Sequence, residues 1–154
     1  MRIKGFATKT EEKVPYFVSI PAIDGVTQGK SLRNAHAMAR DYVGLMLEEV
    51  TGGQVNAESV RIVPGNDGEF WIETSEVKAL LSLILQRQRA RAELSQAELA
   101  ERLGQASKTG VAQYERAKID PSIGKFAELL AGLGLELAID VVESKGKAGA
   151  KATA

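Results

Sequence analysis

The sequence predicts an α+β fold in two parts: a small β-β-β-α-β sheet domain, then an all-α helix-turn-helix domain with one further strand after it. Aromatic and β-branched runs occur in the first half and again after residue 134. Apolar residues at helical spacing dominate residues 75–134. Within that region, residues 94–118 (LSQAELAERLGQASKTGVAQYERAK) have the pattern of two short helices joined by a tight turn.

Composition indicates a folded protein of a reducing compartment. The 154 residues are 44% apolar and 26% charged, and none is cysteine. A disulfide framework or thiolate metal site is thereby excluded, and we expect a cytoplasmic location. The first residues lack the apolar core of a signal peptide, and no apolar run approaches the roughly 20 residues of a membrane helix.

Charge is distributed unevenly although the net charge is zero. Residues 1–75 carry eight Lys and Arg against ten Asp and Glu, a net charge of −2. Residues 76–118 carry eight against five, a net charge of +3. The basic excess therefore lies on the helix-turn-helix region, where phosphate contacts would need it. Because the excess is small, we expect two copies to bind one duplex.

The first predicted domain spans residues 1–74. Pro21 and Asp24-Gly25 mark turns, Ser31 is a helix N-cap, and residues 52–53 (Gly-Gly) end the helix. Phe70 and Ile72 alternate with Trp71, which favours a strand after the helix. The predicted elements are strands over residues 3–8, 16–20 and 26–29, a helix over 31–50, a second strand-like run over 60–63, and a strand over 69–74.

The second predicted domain spans residues 75–134 and holds four helices. A long helix over residues 76–92 comes first, followed by a helix with Ser95 and Glu98 as a capping box and Gly104 as its end. Ser107 is predicted to cap the next helix, the candidate recognition helix, and Ser122 the fourth, which runs over residues 123–133.

Residues 135–143 follow as a predicted dimerisation strand. Apolar and polar residues alternate in LELAIDVV, which indicates a half-buried strand. A helical domain offers it no partner strand, so we expect it to pair with the same strand of a second copy about a two-fold axis. The residues expected at that interface are Leu135, Leu137, Ile139 and Val141. Residues 144–154, small and basic, are predicted to be a disordered tail.

Candidate DNA contacts lie on and around the recognition helix. Gln and Lys side chains can read base edges, and Thr can touch a thymine methyl group. Basic side chains and Gln can also bind phosphates, a role expected of the residue at the start of the preceding helix. A helical bundle whose polar residues are merely solvated is the competing interpretation. The predicted DNA-binding residues are Gln96, Ser107, Lys108, Thr109, Ala112, Gln113, Arg116 and Lys118.

Other chemistry is weakly indicated. The single histidine, His36, has no nearby Cys or second His, and a helix-flank role is expected for it. Scattered carboxylates such as Asp24 and Asp41 are interpreted as surface residues, and no phosphate-binding glycine motif is present. We therefore predict no catalytic residue, no metal and no cofactor. The aromatic residues Tyr16, Phe17 and Trp71 are interpreted as core or sheet-face residues, and an exposed subset of them is the candidate for a protein-binding patch.

Two family resemblances rest on these motifs. Residues 95–133 (LSQAELAERLG, YERAK and PSIGKFAELLAGLG) resemble the lambda-repressor-like, or Xre-type, helix-turn-helix, although that family usually has glycine where this chain has Ala117. Residues 3–50 are similar to the HicB antitoxin family through YFVSIPAIDGVTQGKSLRNAHAMA. The second resemblance implies a partial RNase-H-like sheet without nuclease chemistry, which inhibits a HicA-like RNA-cleaving toxin. Repression of the operon that encodes both proteins is implied as well.

Two alternatives remain open. One is a stand-alone Xre-type transcription regulator whose N-terminal domain senses a ligand or a protein. The other is a metal-dependent nuclease, which would need carboxylates on the strands. Residues 3–8 and 16–20 contain no Asp or Glu, which disfavours the nuclease.

Overall fold

A computed structural model describes residues 1–143 of the chain. It confirms the α+β class, with an antiparallel sheet and one long helix followed by four helices. The strands are β1 (Arg2–Lys9), β2 (Tyr16–Ile20), β3 (Gly25–Gly29), β4 (Val60–Pro64) and β5 (Glu69–Thr74). The helices are α1 (Leu32–Thr51), α2 (Val77–Arg91), α3 (Gln96–Arg102), α4 (Thr109–Glu115) and α5 (Ile123–Gly132). The predicted tail at residues 144–154 lies outside the described residues.

The sheet contains one strand more than β-β-β-α-β. Its order is β3-β2-β1-β5-β4, and every neighbouring pair is antiparallel. Residues 60–63, a strand-like run in the sequence, form the edge strand β4, so the domain reads β-β-β-α-β-β. The turn at residues 65–68 reverses the chain, and β5 rather than β4 pairs with β1.

One face of the sheet packs against α1. The alternation of the strands places Ile3, Val18 and Phe70 on this face, where all are buried. Gly29 is required here, because a Cβ atom at this position would lie 2.4 Å from the backbone nitrogen of Ala35. The Ser31 hydroxyl accepts a hydrogen bond from the amide of Asn34 and confirms the predicted start of the helix.

Helix α2 joins the sheet part to the helical part. It contacts α1 and the 3₁₀ turn at Pro21–Ile23 on one side and α4 and α5 on the other. Gln88 Nε2 donates to the carbonyls of Pro21 and Ala22, each at 2.9 Å, and Arg87 Nε donates to the carbonyl of Ile23 at 3.0 Å. One cluster of buried side chains runs through both parts. The helix-turn-helix is thus fixed against the sheet domain.

No helix within residues 1–143 is both long enough and apolar enough to cross a membrane.

Candidate nucleic-acid interface

Local sequence signals set both ends of α3. Ser95 Oγ accepts from the Glu98 amide at 3.1 Å, while the Glu98 carboxylate accepts from the Ser95 amide at 2.6 Å, so the predicted capping box is confirmed. The pKa of Glu98 is lowered chiefly by the hydrogen bond from the backbone amide of Ser95, and the side chain of Ser95 lowers it further. Gly104 ends the helix with φ +69°, a conformation that glycine adopts at little cost.

The start of α4 differs by one residue from the prediction. Lys108 already has helical dihedral angles and stands at the N-cap position, and α4 runs from Thr109. The predicted cap, Ser107, nevertheless accepts a hydrogen bond from the Thr109 amide, at 3.4 Å. Its hydroxyl therefore helps to satisfy the first turn of α4, although the residue stands one position before the assigned cap.

A buried ion pair that the sequence did not predict holds α4 in place. Glu115 is only 2% exposed, and its carboxylate accepts from Arg89 Nε at 2.5 Å and from Arg89 Nη2 at 3.0 Å. This bidentate geometry is the strongest form of a carboxylate contact. The hydrogen bond from Arg89 to Glu115 raises the pKa of the guanidinium. A signal was present: Glu115 follows Val111 by four residues and so shares its inward face.

Gln96 belongs to the same network. Its Nε2 donates to Glu115 at 2.9 Å, and Arg89 Nη1 donates to the carbonyl of Leu94 at 2.6 Å. The side chain of Gln96 is half-buried and held against α4 by this hydrogen bond. Its predicted contact with a phosphate stays a prediction.

The other predicted DNA contacts line the outer face of α4 and its ends. Lys108, Thr109, Gln113, Arg116 and Lys118 are exposed, as is Ser107 before them, and Ala112 is half-buried between them. Val111 on the opposite face is fully buried. The helix thus presents one polar, basic face to solvent and packs the other face, with Val111 and the paired Glu115, against α2 and α3.

Basic residues of α2 also contact the rest of the protein. Arg87 and Arg89 are hydrogen-bonded as described, whereas the exposed Arg91 lies 3.9 Å from the carboxylate of Asp24. Three cations on the outer face of α4 and just after it make no ion pair with any of residues 1–143. They are Lys108, Arg116 and Lys118.

Ala117, which ends the recognition helix, adopts a left-handed conformation with φ +53°. For an L-residue with a Cβ atom this region costs roughly 1–2 kcal/mol. The position therefore keeps the backbone shape for which glycine is the usual residue, at a cost in stability.

Residues 135–143 form no strand within the described chain. Leu137 packs against the core, whereas Leu135, Ile139 and Val141 are exposed, the last at 90%. A strand needs hydrogen-bonded neighbours, and residues 1–143 supply none beside this segment. Pairing with a second copy remains a prediction.

The candidate protein-binding aromatic residues do not share one face. Phe17 and Trp71 lie on the face of the sheet opposite α1, but Tyr16 points to the α1 side and packs against the core. The reason is the two-residue period of β2. Tyr16 and Val18 share the face toward α1, and Phe17, between them, points to the opposite face. His36, on the flank of α1, packs against Phe70 with the ring centroids 5.0 Å apart and the ring planes tilted by 56°. Burial lowers the pKa of His36.

Comparison with known families supports the helical part. Residues 80–139 match the model of a family described as a helix-turn-helix domain. No curated protein matches the chain. The C-terminal half therefore carries a helix-turn-helix domain of the kind found in DNA-binding regulators.

Proposed function

We propose that this protein is the antitoxin of a type II toxin–antitoxin pair and represses the operon that encodes both partners. In this proposal, residues 1–74 bind and inhibit a small RNA-cleaving toxin of the HicA kind, and α4 binds operator DNA. The protein catalyses no reaction, since it acts by covering the toxin on one side and the promoter on the other.

The exposed basic face of α4 carries the DNA-binding half of the proposal. A helix of this width fits the major groove of B-DNA, where Lys108 can donate to guanine and Gln113 can pair with adenine. Arg116 and Lys118 would contact phosphates and so fix the helix in its register. The buried pair of Arg89 and Glu115 fixes α4 against α2.

A second copy would supply the remaining affinity. Two phosphate-binding cations per chain, Arg116 and Lys118, make four phosphate contacts in a dimer, which gives a slope of about −3.6 in the logarithm of the association constant against log salt concentration. Binding to a two-fold operator with half-sites one helical turn apart follows from the expected pairing of residues 135–143.

Similarity of residues 3–50 to the HicB family supports the toxin-binding half. The sheet domain also has a net charge of −2, which is complementary to a basic, RNA-binding partner. Inhibition by occlusion needs only a rigid surface, and the antiparallel sheet with α1 packed on it is one.

Growth rescue tests the antitoxin role. The proposal requires a reading frame of toxin size beside the gene of this chain, and that frame is induced alone and together with the full chain. We expect arrest in the first case and growth in the second, and a chain that rescues no growth refutes the antitoxin role. A reporter fused to the operon's promoter tests repression, which we expect to be lost when Lys108 and Gln113 are both replaced by alanine.

A stand-alone regulator that senses a small molecule is the second candidate. One observation favours it: a shallow cavity of about 520 Å³ lies between α1 and β4, lined by His36, Arg40 and Val60 among others. The Nε2 atom of His36 is buried there and has no hydrogen-bond partner within residues 1–143. Operator binding that responds to small organic anions, in a chain that rescues no growth, would favour this candidate.

A further inference from the structure

The outward face of α1 carries apolar side chains that nothing within residues 1–143 covers. At 100° per residue, positions 38, 41, 45, 48 and 49 fall within an arc of about 100°. Leu45, at the centre of this arc, is 59% exposed, and Met38, about two turns earlier, is exposed as well. The opposite face, with Ala39, Val43 and Leu47, is fully buried against the sheet.

Carboxylates surround Leu45 on this face. Asp41, Glu48 and Glu49 are exposed, and none of them makes an ion pair with residues 1–143. Residues 41–51 (DYVGLMLEEVT) include no Lys, Arg or His. The carboxyl half of α1 is therefore a uniformly acidic surface with an apolar centre.

The position of two of these carboxylates is unfavourable for the isolated chain. Glu48 and Glu49 lie in the last turn of α1, which holds no basic residue. The negative pole of the helix dipole is at this end, so acidic side chains here destabilise the helix. A cationic partner would relieve this repulsion, and residues 1–143 supply none at this end of the helix.

The charges also exclude other occupants. A second copy packed on this face about a two-fold axis would bring like-charged carboxylates together. Nucleic acid and anionic lipid surfaces are repelled for the same reason. A basic protein is the occupant that the charges favour, with Leu45 as the apolar anchor and the carboxylates as its polar rim.

The other exposed face of the domain is less suited to such a partner. On the outer face of the sheet, the guanidinium of Arg2 lies 4.4 Å from the centroid of Trp71, and the ammonium of Lys4 lies 5.0 Å from it. Lys4 also pairs with Glu69 at 3.3 Å. These cations cover the aromatic ring and neutralise the nearby carboxylate.

We propose that the outward face of α1, formed by Met38, Asp41, Leu45, Glu48 and Glu49, is the surface on which the small basic toxin docks. This inference rests on the proposed function and adds to it the position of the toxin-binding surface. It moves the expected contact from the aromatic residues of the strands to the long helix.

Binding to the purified product of the neighbouring reading frame tests the site, with the full chain immobilised. We expect Leu45→Arg to weaken binding at least 30-fold. Arg and Leu have similar helix propensities, so α1 should stay folded. Retained operator binding reports that the chain is intact. Val26→Arg is the matched control, because Val26 is 58% exposed on the outer face of the sheet. Its affinity should equal that of the wild type.

The carboxylates are tested with a paired substitution. Glu48→Gln with Glu49→Gln should weaken binding about tenfold and reduce its dependence on salt, since two charge contacts are lost. Glu11→Gln with Glu12→Gln, an equally exposed adjacent pair in the turn after β1, should change neither.

Three outcomes overturn the inference, and they are distinguishable. Equal losses for Leu45→Arg and Val26→Arg, or none for Leu45→Arg, would place the contact elsewhere and leave the proposed function intact. Dissociation of a homo-oligomer by Leu45→Arg, seen by sedimentation, would make this face a contact between copies. No binding of the neighbouring product by the wild-type chain would refute the site and the antitoxin role together.

Discussion

Replacement of Glu115 by glutamine should destabilise the helix-turn-helix far more than a single charge normally does. The carboxylate accepts three hydrogen bonds, two from Arg89 and one from Gln96, and is almost completely buried. Glutamine removes the charge and turns one acceptor into a donor that faces other donors. Loss of one member of a buried pair costs about 3–5 kcal/mol, and the partial exposure of Arg89 favours the lower end, about 3 kcal/mol.

Thermal and urea unfolding measure this loss. For a chain of this size, about 3 kcal/mol corresponds to a Tm lowered by about 10 °C. Glu128→Gln is the matched control, because Glu128 pairs with Lys125 at 3.3 Å but is exposed. The control should change the free energy of unfolding by less than about 0.5 kcal/mol.

A double substitution separates the loss of the ion pair from the cost of leaving the guanidinium of Arg89 without a counter-charge. Arg89→Met together with Glu115→Leu removes both charges and should recover most of the stability, since an apolar pair of similar volume needs no counter-charge. A double variant as unstable as Glu115→Gln, or a single variant that loses less than about 1 kcal/mol, would refute the account of a buried ion pair.

Three further predictions concern other parts of the chain. Ala117→Gly should stabilise the chain by about 0.5–1 kcal/mol, because φ is +53° at this position. Ala112→Gly, at a right-handed position within α4, should destabilise it by about 1 kcal/mol. Urea titration compares the two variants, and changes in unfolding free energy of the same sign would contradict a strained backbone at Ala117. The pKa of His36 is lowered by burial from its usual 6.5, so the unfolded chain binds the proton more readily, and the free energy of unfolding should fall as the pH drops below about 6.5. His36→Leu should abolish that slope, as unfolding at pH 5–8 would show. Ile139→Lys with Val141→Lys, or deletion of residues 135–142, should give a monomer that binds operator about 100-fold more weakly; an unchanged sedimentation coefficient would remove the predicted dimer strand.

Local signals account for what the sequence predicted well. The capping signals act within four residues along the chain, so the sequence alone predicts the ends of α3 and the start of α5. These signals are Ser95 with Glu98, Gly104 and Ser122. The meander of β1 to β3 is also local, because its strands follow one another across short turns.

Non-local contacts account for what it missed. β4 is a short apolar run, ambiguous by periodicity, and becomes a strand only by pairing with β5. Glu115 is charged and lies in the sequence beside basic residues that suit DNA binding. Arg89, 26 residues earlier, nevertheless holds its carboxylate in the interior, and Gln96 donates to the same carboxylate. The alternation in residues 135–142 indicates a strand, but alternation supplies no partner, and residues 1–143 provide none there.

Inhibition of RNA cleavage tests the central claim most directly. The purified product of the neighbouring reading frame cleaves a labelled RNA while the full chain is added in increasing amounts. The account predicts that cleavage falls to zero at a stoichiometric ratio and returns when Leu45→Arg replaces the wild type. Cleavage that continues unchanged in excess of the wild-type chain would contradict it.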